Sequence, residues 1–170
     1  MRSSIRRGTA TLSLCFVLAM SMLAGTASAH VVYQSGNTGW FGNKCVWQKS
    51  EVSHGSSGKG YFLAGTHAKE DVAGFSCAGN SFMAAGNIKT QLQFYTTDQF
   101  GGSTALCYSS GLLASTILSY ELTIAYDANI PPCGSLRYYR TRGLGQVWSG
   151  TAWVGSYLWS GTPGVHFLPA

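Results

Sequence analysis

The chain has 170 residues, 45% of them hydrophobic and only 10% charged, with 22 glycines and a formal net charge of +5. That composition excludes a disordered polyelectrolyte and a coiled coil, which need high charge or heptads. Arg2, Arg6 and Arg7 supply three of the eleven basic residues; without them eight stand against six acids, scattered and too few for a nucleic-acid-binding footprint.

In chain order, the first feature is a leader. Arg2, Arg6 and Arg7 form a basic start, Leu12 through Ala24 an apolar run, and Ala27-Ser28-Ala29 the small residues a signal peptidase needs. Residues 1–29 therefore read as a secretory signal, and 30–170 as a single secreted domain beginning at His30. The apolar run is short for a bilayer span and no stop-transfer segment follows, so an extracellular protein with no membrane attachment after cleavage is expected. A domain of this size buries roughly 68–70% of its unfolded surface, enough to stand as a monomer.

Cys15 falls in the leader, leaving Cys45, Cys77, Cys107 and Cys133. Zinc favours close pairs such as C-x2-C, whereas these intervals are 32, 30 and 26 residues. An even count in an exported chain points to two disulfides. Three connectivities are open; Cys45–Cys77 with Cys107–Cys133, which staples each half locally, is the one expected.

The remaining chain alternates with period 2. Ile88 to Thr96 puts Ile88, Leu92 and Phe94 on one face and Lys89, Gln91 and Gln93 on the other. Leu118 to Tyr126 alternates likewise, with Leu118, Tyr120, Leu122, Ile124 and Tyr126 expected inward. Further strands are expected over Cys45 to Ser53, Lys59 to Ala64, Thr104 to Ser109, Leu136 to Arg142, Gln146 to Ser149 and Ala152 to Ser160. Val31-Val32-Tyr33 reads as the start of an edge strand. Thr66 to Met83 is the least strand-like stretch and is expected to hold a short helix or a long loop. His54 to Gly58, Gln99 to Gly102 and Ser149 to Thr151 carry hairpin-loop residues, and Pro131-Pro132 breaks the chain. The fold class is all-β, an antiparallel β-sandwich or barrel of about eight strands with two disulfides.

The order Cys45-Val46-Trp47, Glu51 to Gly55, Pro132-Cys133-Gly134, Tyr138-Tyr139-Arg140, Trp148 to Trp153 and Leu158 to Gly161, closing on Leu168-Pro169, resembles small four-cysteine secreted proteins of actinobacteria with no assigned function. The resemblance implies export and a compact β fold and transfers no catalytic residue.

Catalytic candidates are few. Glu70-Asp71 beside Lys69 reads as a solvated turn. Glu51 and His54, with Ser53, Ser56 or Ser57 nearby, form a conceivable Ser-His-acid set, but without a G-x-S-x-G elbow the stretch reads as a hairpin loop. Gly55 to Gly60 lacks the spacing of a phosphate loop. No catalytic residue is assigned. Among metals, copper has the sharpest case: a chain beginning at His30 offers an α-amino group and an imidazole, and His54, His67 or His166 would complete the three-nitrogen brace of copper polysaccharide oxygenases. Arg137, Arg140 and Arg142 form the one basic cluster, with Arg137 facing opposite to the other two. It reads as a solvated strand edge more readily than as an anion site.

Aromatic residues carry the leading functional reading. All five tryptophans, all nine tyrosines and seven of eight phenylalanines follow the leader. On one strand Trp153, Tyr157 and Trp159 share a face opposite Val154 and Leu158: a Val-Leu core face makes the three rings an outer platform, whereas a ring core face makes Trp153 and Trp159 the core of one layer with Val154 and Leu158 against another. Trp40, between Gly39 and Gly42, is a looser candidate of the same kind. Flat rings stack on sugars and on proteins alike. The expected function is non-enzymatic binding of an extracellular polysaccharide or protein; the alternative is a secreted hydrolase or an N-terminal-histidine copper enzyme.

Overall fold

The computed structural model describes residues 30–54, 60–72, 76–102, 104–128, 133–134, 137–160 and 166–168, with the backbone alone at 30, 128 and 166–168. The expected leader 1–29, most of the expected hairpin stretch His54 to Gly58, and Pro131-Pro132 lie outside the described residues. The described residues contain twelve strands and no helix. They are β1 (His30–Phe41), β2 (Lys44–His54), β3 (Gly60–Val72), β4 (Ser76–Ala78), β5 (Ile88–Thr97), β6 (Thr104–Ser109), β7 (Leu113–Ala114), β8 (Glu121–Ala128), β9 (Arg137–Trp148), β10 (Trp153–Val154), β11 (Tyr157–Trp159) and β12 (His166–Leu168). Every pairing is antiparallel. One sheet runs β1-β2-β3-β4 with β8 beside β3; the other centres on β9, which pairs with β5, β10, β11 and β12, while β5 also pairs with β6 and β7.

Alternation sets the inner faces. Ile88, Leu92 and Phe94 of β5 are fully buried, as are Tyr139 and Val147 of β9. From the other sheet Val46, Val52, Phe62, Ala64 and Ala68 meet them. Two apolar clusters result. One gathers Val52, Phe62, Leu92, Phe94 and Tyr139, with the Phe62 and Phe94 rings stacked 3.8 Å apart; the other gathers Val46, Ala68, Ile88 and Val147. Each fully buried Phe contributes roughly 1.5–3 kcal/mol of transfer free energy.

A polar belt separates the clusters. Gln48, Ser50, Thr66, Thr90 and Thr141 are all buried. Gln48 Nε2 donates to Gly145 O at 2.7 Å and Ser156 O at 2.6 Å, and Thr90 Oγ1 donates to Thr66 Oγ1 at 2.7 Å. Glycine makes room for this belt: a Cβ on Gly145 would lie 2.6 Å from Gln48 Nε2, and one on Gly143 2.7 Å from Ser50 Oγ.

Several expectations change. Gly143 and Gly145 do not divide Leu136 to Arg142 from Gln146 to Ser149; they lie inside one continuous β9, where the sheets approach too closely for a side chain. Ala152 to Ser160 is instead two short strands, split at Gly155 with φ of 124°. Thr66 to Met83 holds no helix or long loop at its start, because β3 continues to Val72 with Thr66 and Ala68 facing inward. Leu118 is 65% exposed. The strand begins only at Glu121, since Ser119 turns the chain by donating to Glu121 O at 2.7 Å and accepting from Glu121 N at 3.1 Å. Leu122, Ile124 and Tyr126 do pack against the core.

The disulfides are Cys45–Cys77 and Cys107–Cys133, the local connectivity. They tie β2 to β4 and β6 to the segment entering β9. Among the described residues no helix is long and apolar enough to cross a membrane.

Candidate functional site

Directly opposed residues of an antiparallel pair share a face. Since odd-numbered residues of β9 point into the core, its even-numbered ones point out, and their partners point out with them. Trp148 faces Trp153, Leu144 faces Tyr157 and Arg142 faces Trp159. From β5, Lys89 faces Gln146, Gln91 faces Leu144, Gln93 faces Arg142 and Tyr95 faces Arg140. Val154 and Leu158 alternate to the inner side, and Val154 packs on the second core cluster. The interruption at Gly155-Ser156 spans two residues, so Trp153 and Tyr157 stay in phase on the outer face.

This face interleaves rings with cations. Lys89 Nζ lies 3.9 Å from the Trp153 ring centre, and Trp153 lies 5.4 Å from Trp148. The Arg142 guanidinium carbon is 4.3 Å from the Tyr157 ring centre, 5.1 Å from Tyr95 and 5.3 Å from Trp159; that of Arg140 is 4.7 Å from Trp159. Gln93 Oε1 fixes Arg142 by accepting from its Nε at 3.0 Å and its Nη2 at 2.7 Å, and it also accepts from the Tyr95 hydroxyl at 3.1 Å. Such contacts hold otherwise flexible side chains, each contributing about 0.5–1 kcal/mol where exposed. Tyr157 is 47% exposed, and Trp153 and Trp159 are half-buried. Partial burial lowers the Arg140 pKa, because the charged form loses hydration.

The basic cluster is therefore not a solvated edge. Arg137 does point to the other side of the strand, but β9 is the centre of its sheet, and Arg140 and Arg142 are half-buried among rings. Their membership, and that of Lys89, Gln93, Tyr95 and Trp148, escaped the sequence because it depends on β9 lying between β5 on one side and β10 and β11 on the other. The signal at hand was the outward register of Lys89, Gln91 and Gln93. Trp40 is elsewhere: it is 45% exposed on β1 of the five-stranded sheet, opposite Cys45.

The catalytic candidates are not assembled. Glu51 and His54 lie three residues apart on β2 and so point to opposite faces, and Glu51 is ion-paired with Lys49 at 2.6 Å. The triad reading is thereby lost. Glu70 and Asp71 belong to β3, not to a turn. His67 meets Glu121 at 3.3 Å on the outer face of the five-stranded sheet, in neither of two surface hollows, one lined by Thr96, Asp98, Arg137 and Tyr138 and the other by Phe41, Lys44, Met83 and Trp148. No group of three His, Cys, Asp or Glu able to hold a metal occurs among the described residues. The β1–β2 register sets His30 directly opposite His54, and β12, which carries His166, packs against β1 and β2. His67 lies opposite Trp47, seven residues along the sheet from His54, or roughly 23 Å.

Comparison with protein-family models, curated proteins and solved structures finds no match to this chain.

Proposed function

We propose that the protein is an exported, disulfide-stapled, non-enzymatic module that binds an extracellular polysaccharide through the outer face of its seven-stranded sheet. The observation that carries this reading is the alignment of Trp153, Tyr157 and Trp159 along β9, interleaved with hydrogen-bonding groups. The ring positions follow β9 from Trp148 to Arg142, six residues or roughly 20 Å, long enough for several sugars in an extended chain. Rings stack on the apolar faces of sugars, and fixed amide and guanidinium groups between them meet hydroxyls. Affinity electrophoresis through gels containing soluble polysaccharides tests it. Retardation by at least one polymer is expected, falling about tenfold or more in Trp159→Ala and Tyr157→Ala and unchanged in Trp40→Ala. Equal retardation of all three variants would overturn the assignment to this face.

A second reading, copper binding, is favoured by the pairing of His30 with His54 and the approach of β12. A chain beginning at His30 would bring an α-amino group and two imidazoles to one end of the β1–β2 pair. One copper per chain, retained through desalting and lost in His54→Ala but not in His67→Ala, is the outcome this reading requires; retention in His54→Ala would remove it.

A further inference from the structure

Charge is divided between the sheets. Of the six acidic residues in the sequence, Glu51, Glu70, Asp71, Glu121 and Asp127 lie on strands of the five-stranded sheet, and Asp98 follows β5 in a turn. The strands of the seven-stranded sheet carry Lys89, Arg137, Arg140 and Arg142 and not one carboxylate. Cross-strand cations on a sheet are ordinarily matched by acids. On the five-stranded sheet acids are at hand: Lys49 is ion-paired with Glu51 two residues along β2, and His67 meets the Glu121 carboxylate across β3 and β8. On the other sheet, Lys89 is set over Trp153, and Arg142 is held by rings and by the neutral amide of Gln93. These contacts orient the cations and leave their charge in place.

We infer that the ring-lined face takes an acidic polysaccharide, one whose sugars carry anionic groups, either uronate carboxylates or sulfate esters, along an extended chain. The inference deepens the polysaccharide reading and rests on it. Lys89 and Gln93, whose partner is Arg142, are four residues apart on β5, which sets the two cations roughly 13 Å apart along the face. Trp153 stands at one of them, and Tyr157 and Trp159 at the other. A polymer laid along β9 would thus stack sugars on rings while its anionic groups meet a cation at intervals. Gln93 occupies Nε and one Nη of Arg142. The remaining guanidinium N–H groups can donate to an anionic oxygen, a charge-assisted bond stronger than a neutral one.

Binding by titration calorimetry and affinity electrophoresis, with the full folded protein, decides it. The probes are polygalacturonate, alginate, chondroitin sulfate, carboxyl-reduced polygalacturonate, neutral β-glucan and polyglutamate. The expected result is binding of at least one acidic polysaccharide, weakened at least tenfold by carboxyl reduction or desulfation of that polymer, and falling as salt rises from 50 to 500 mM. Arg142→Gln and Lys89→Gln should each weaken it roughly tenfold, with unchanged melting of Lys89→Gln excluding misfolding as the cause. Chondroitin sulfate carries a uronate carboxylate as well as a sulfate ester, so binding lost on its carboxyl reduction but kept on its desulfation, or the reverse, identifies the anion. Equal affinity for the native and the neutralised polymer would overturn this inference and leave the polysaccharide reading standing. Binding of polyglutamate as tight as that of any glycan would overturn it too, as attraction between charges without sugar recognition. Failure of every glycan, acidic and neutral, would remove the parent reading.

Discussion

The amide of Gly143 donates to Ser50 Oγ at 2.9 Å, and Ser50 Oγ donates onward to Leu158 O at 2.8 Å. One buried hydroxyl therefore bridges β2, β9 and β11. Gln48, two residues earlier, does the same for Gly145 O and Ser156 O. Because Ser156 and Leu158 are held from below, Tyr157 and Trp159, which alternate with them, are held outward. The polar belt in the core is thus what positions the rings on the surface.

Ser50→Ala should accordingly act in two places. Removing the hydroxyl leaves the Gly143 N–H and Leu158 C=O short of a partner in a buried position, at a cost of about 1–3 kcal/mol. Urea unfolding should show the lowered midpoint. Near-ultraviolet circular dichroism should show a weakened tryptophan and tyrosine signal before unfolding begins, and polysaccharide retardation should fall with it. A variant as stable as the parent and with an unchanged near-ultraviolet spectrum would mean that the bridge does not position the face.

Gly145→Ala tests the close approach of the sheets. Its added Cβ would press on the Gln48 amide, and overpacking of this kind costs typically 1–3 kcal/mol. Gly36→Ala is the matched control: no atom lies within 4 Å of its Cβ position, so a change within about 0.5 kcal/mol is expected. The comparison is read from the difference in thermal midpoints of the two variants.

These glycines also show what was legible in the sequence. Alternation in β5 and in β8 from Glu121 to Tyr126 could be read because one face of each strand must be buried, and that need writes itself as period 2. Gly143-Leu144-Gly145 looked like a break, since glycine in a strand interior loses entropy and packs nothing. The reason to keep it there, the polar side chains of Gln48, Ser50 and Thr66, lies on strands about 80 to 100 positions earlier in the chain. Strand order was hidden for the same reason. That Trp153, Tyr157 and Trp159 share a face followed from local alternation, but which face is the outer one did not, and the Arg142–Gln93 bond that joins them to β5 spans 49 residues and leaves no local signal. The phase of Arg137 against Arg140 and Arg142 could be read, and the central place of their strand could not.

Each disulfide closes a loop of similar length, 32 residues for Cys45–Cys77 and 26 for Cys107–Cys133. Chain entropy alone then gives about 3.5 kcal/mol for either, acting on the unfolded state. Double replacement by alanine of one pair at a time should lower stability by comparable amounts in urea titrations. A much larger loss for the Cys45 pair would instead report the packing of Cys45, which is fully buried, over and above loop closure.

His67 gives the fold an acid-side sensitivity. Its pKa is lowered chiefly by burial; Glu121 opposes the shift, and Lys69 and Lys49 add to it. A histidine whose folded pKa lies below its unfolded value of about 6.5 binds its proton more readily when unfolded. Its contribution is therefore fully present above pH 6.5 and is lost as pH falls from there through the folded pKa. His67→Gln keeps a polar group opposite Glu121 and removes the titration. Unfolding free energies measured at pH 7.5 and pH 5 should drop less in this variant than in the parent. An equal or larger drop would mean that the Glu121 carboxylate outweighs burial and that His67 is charged in the folded protein.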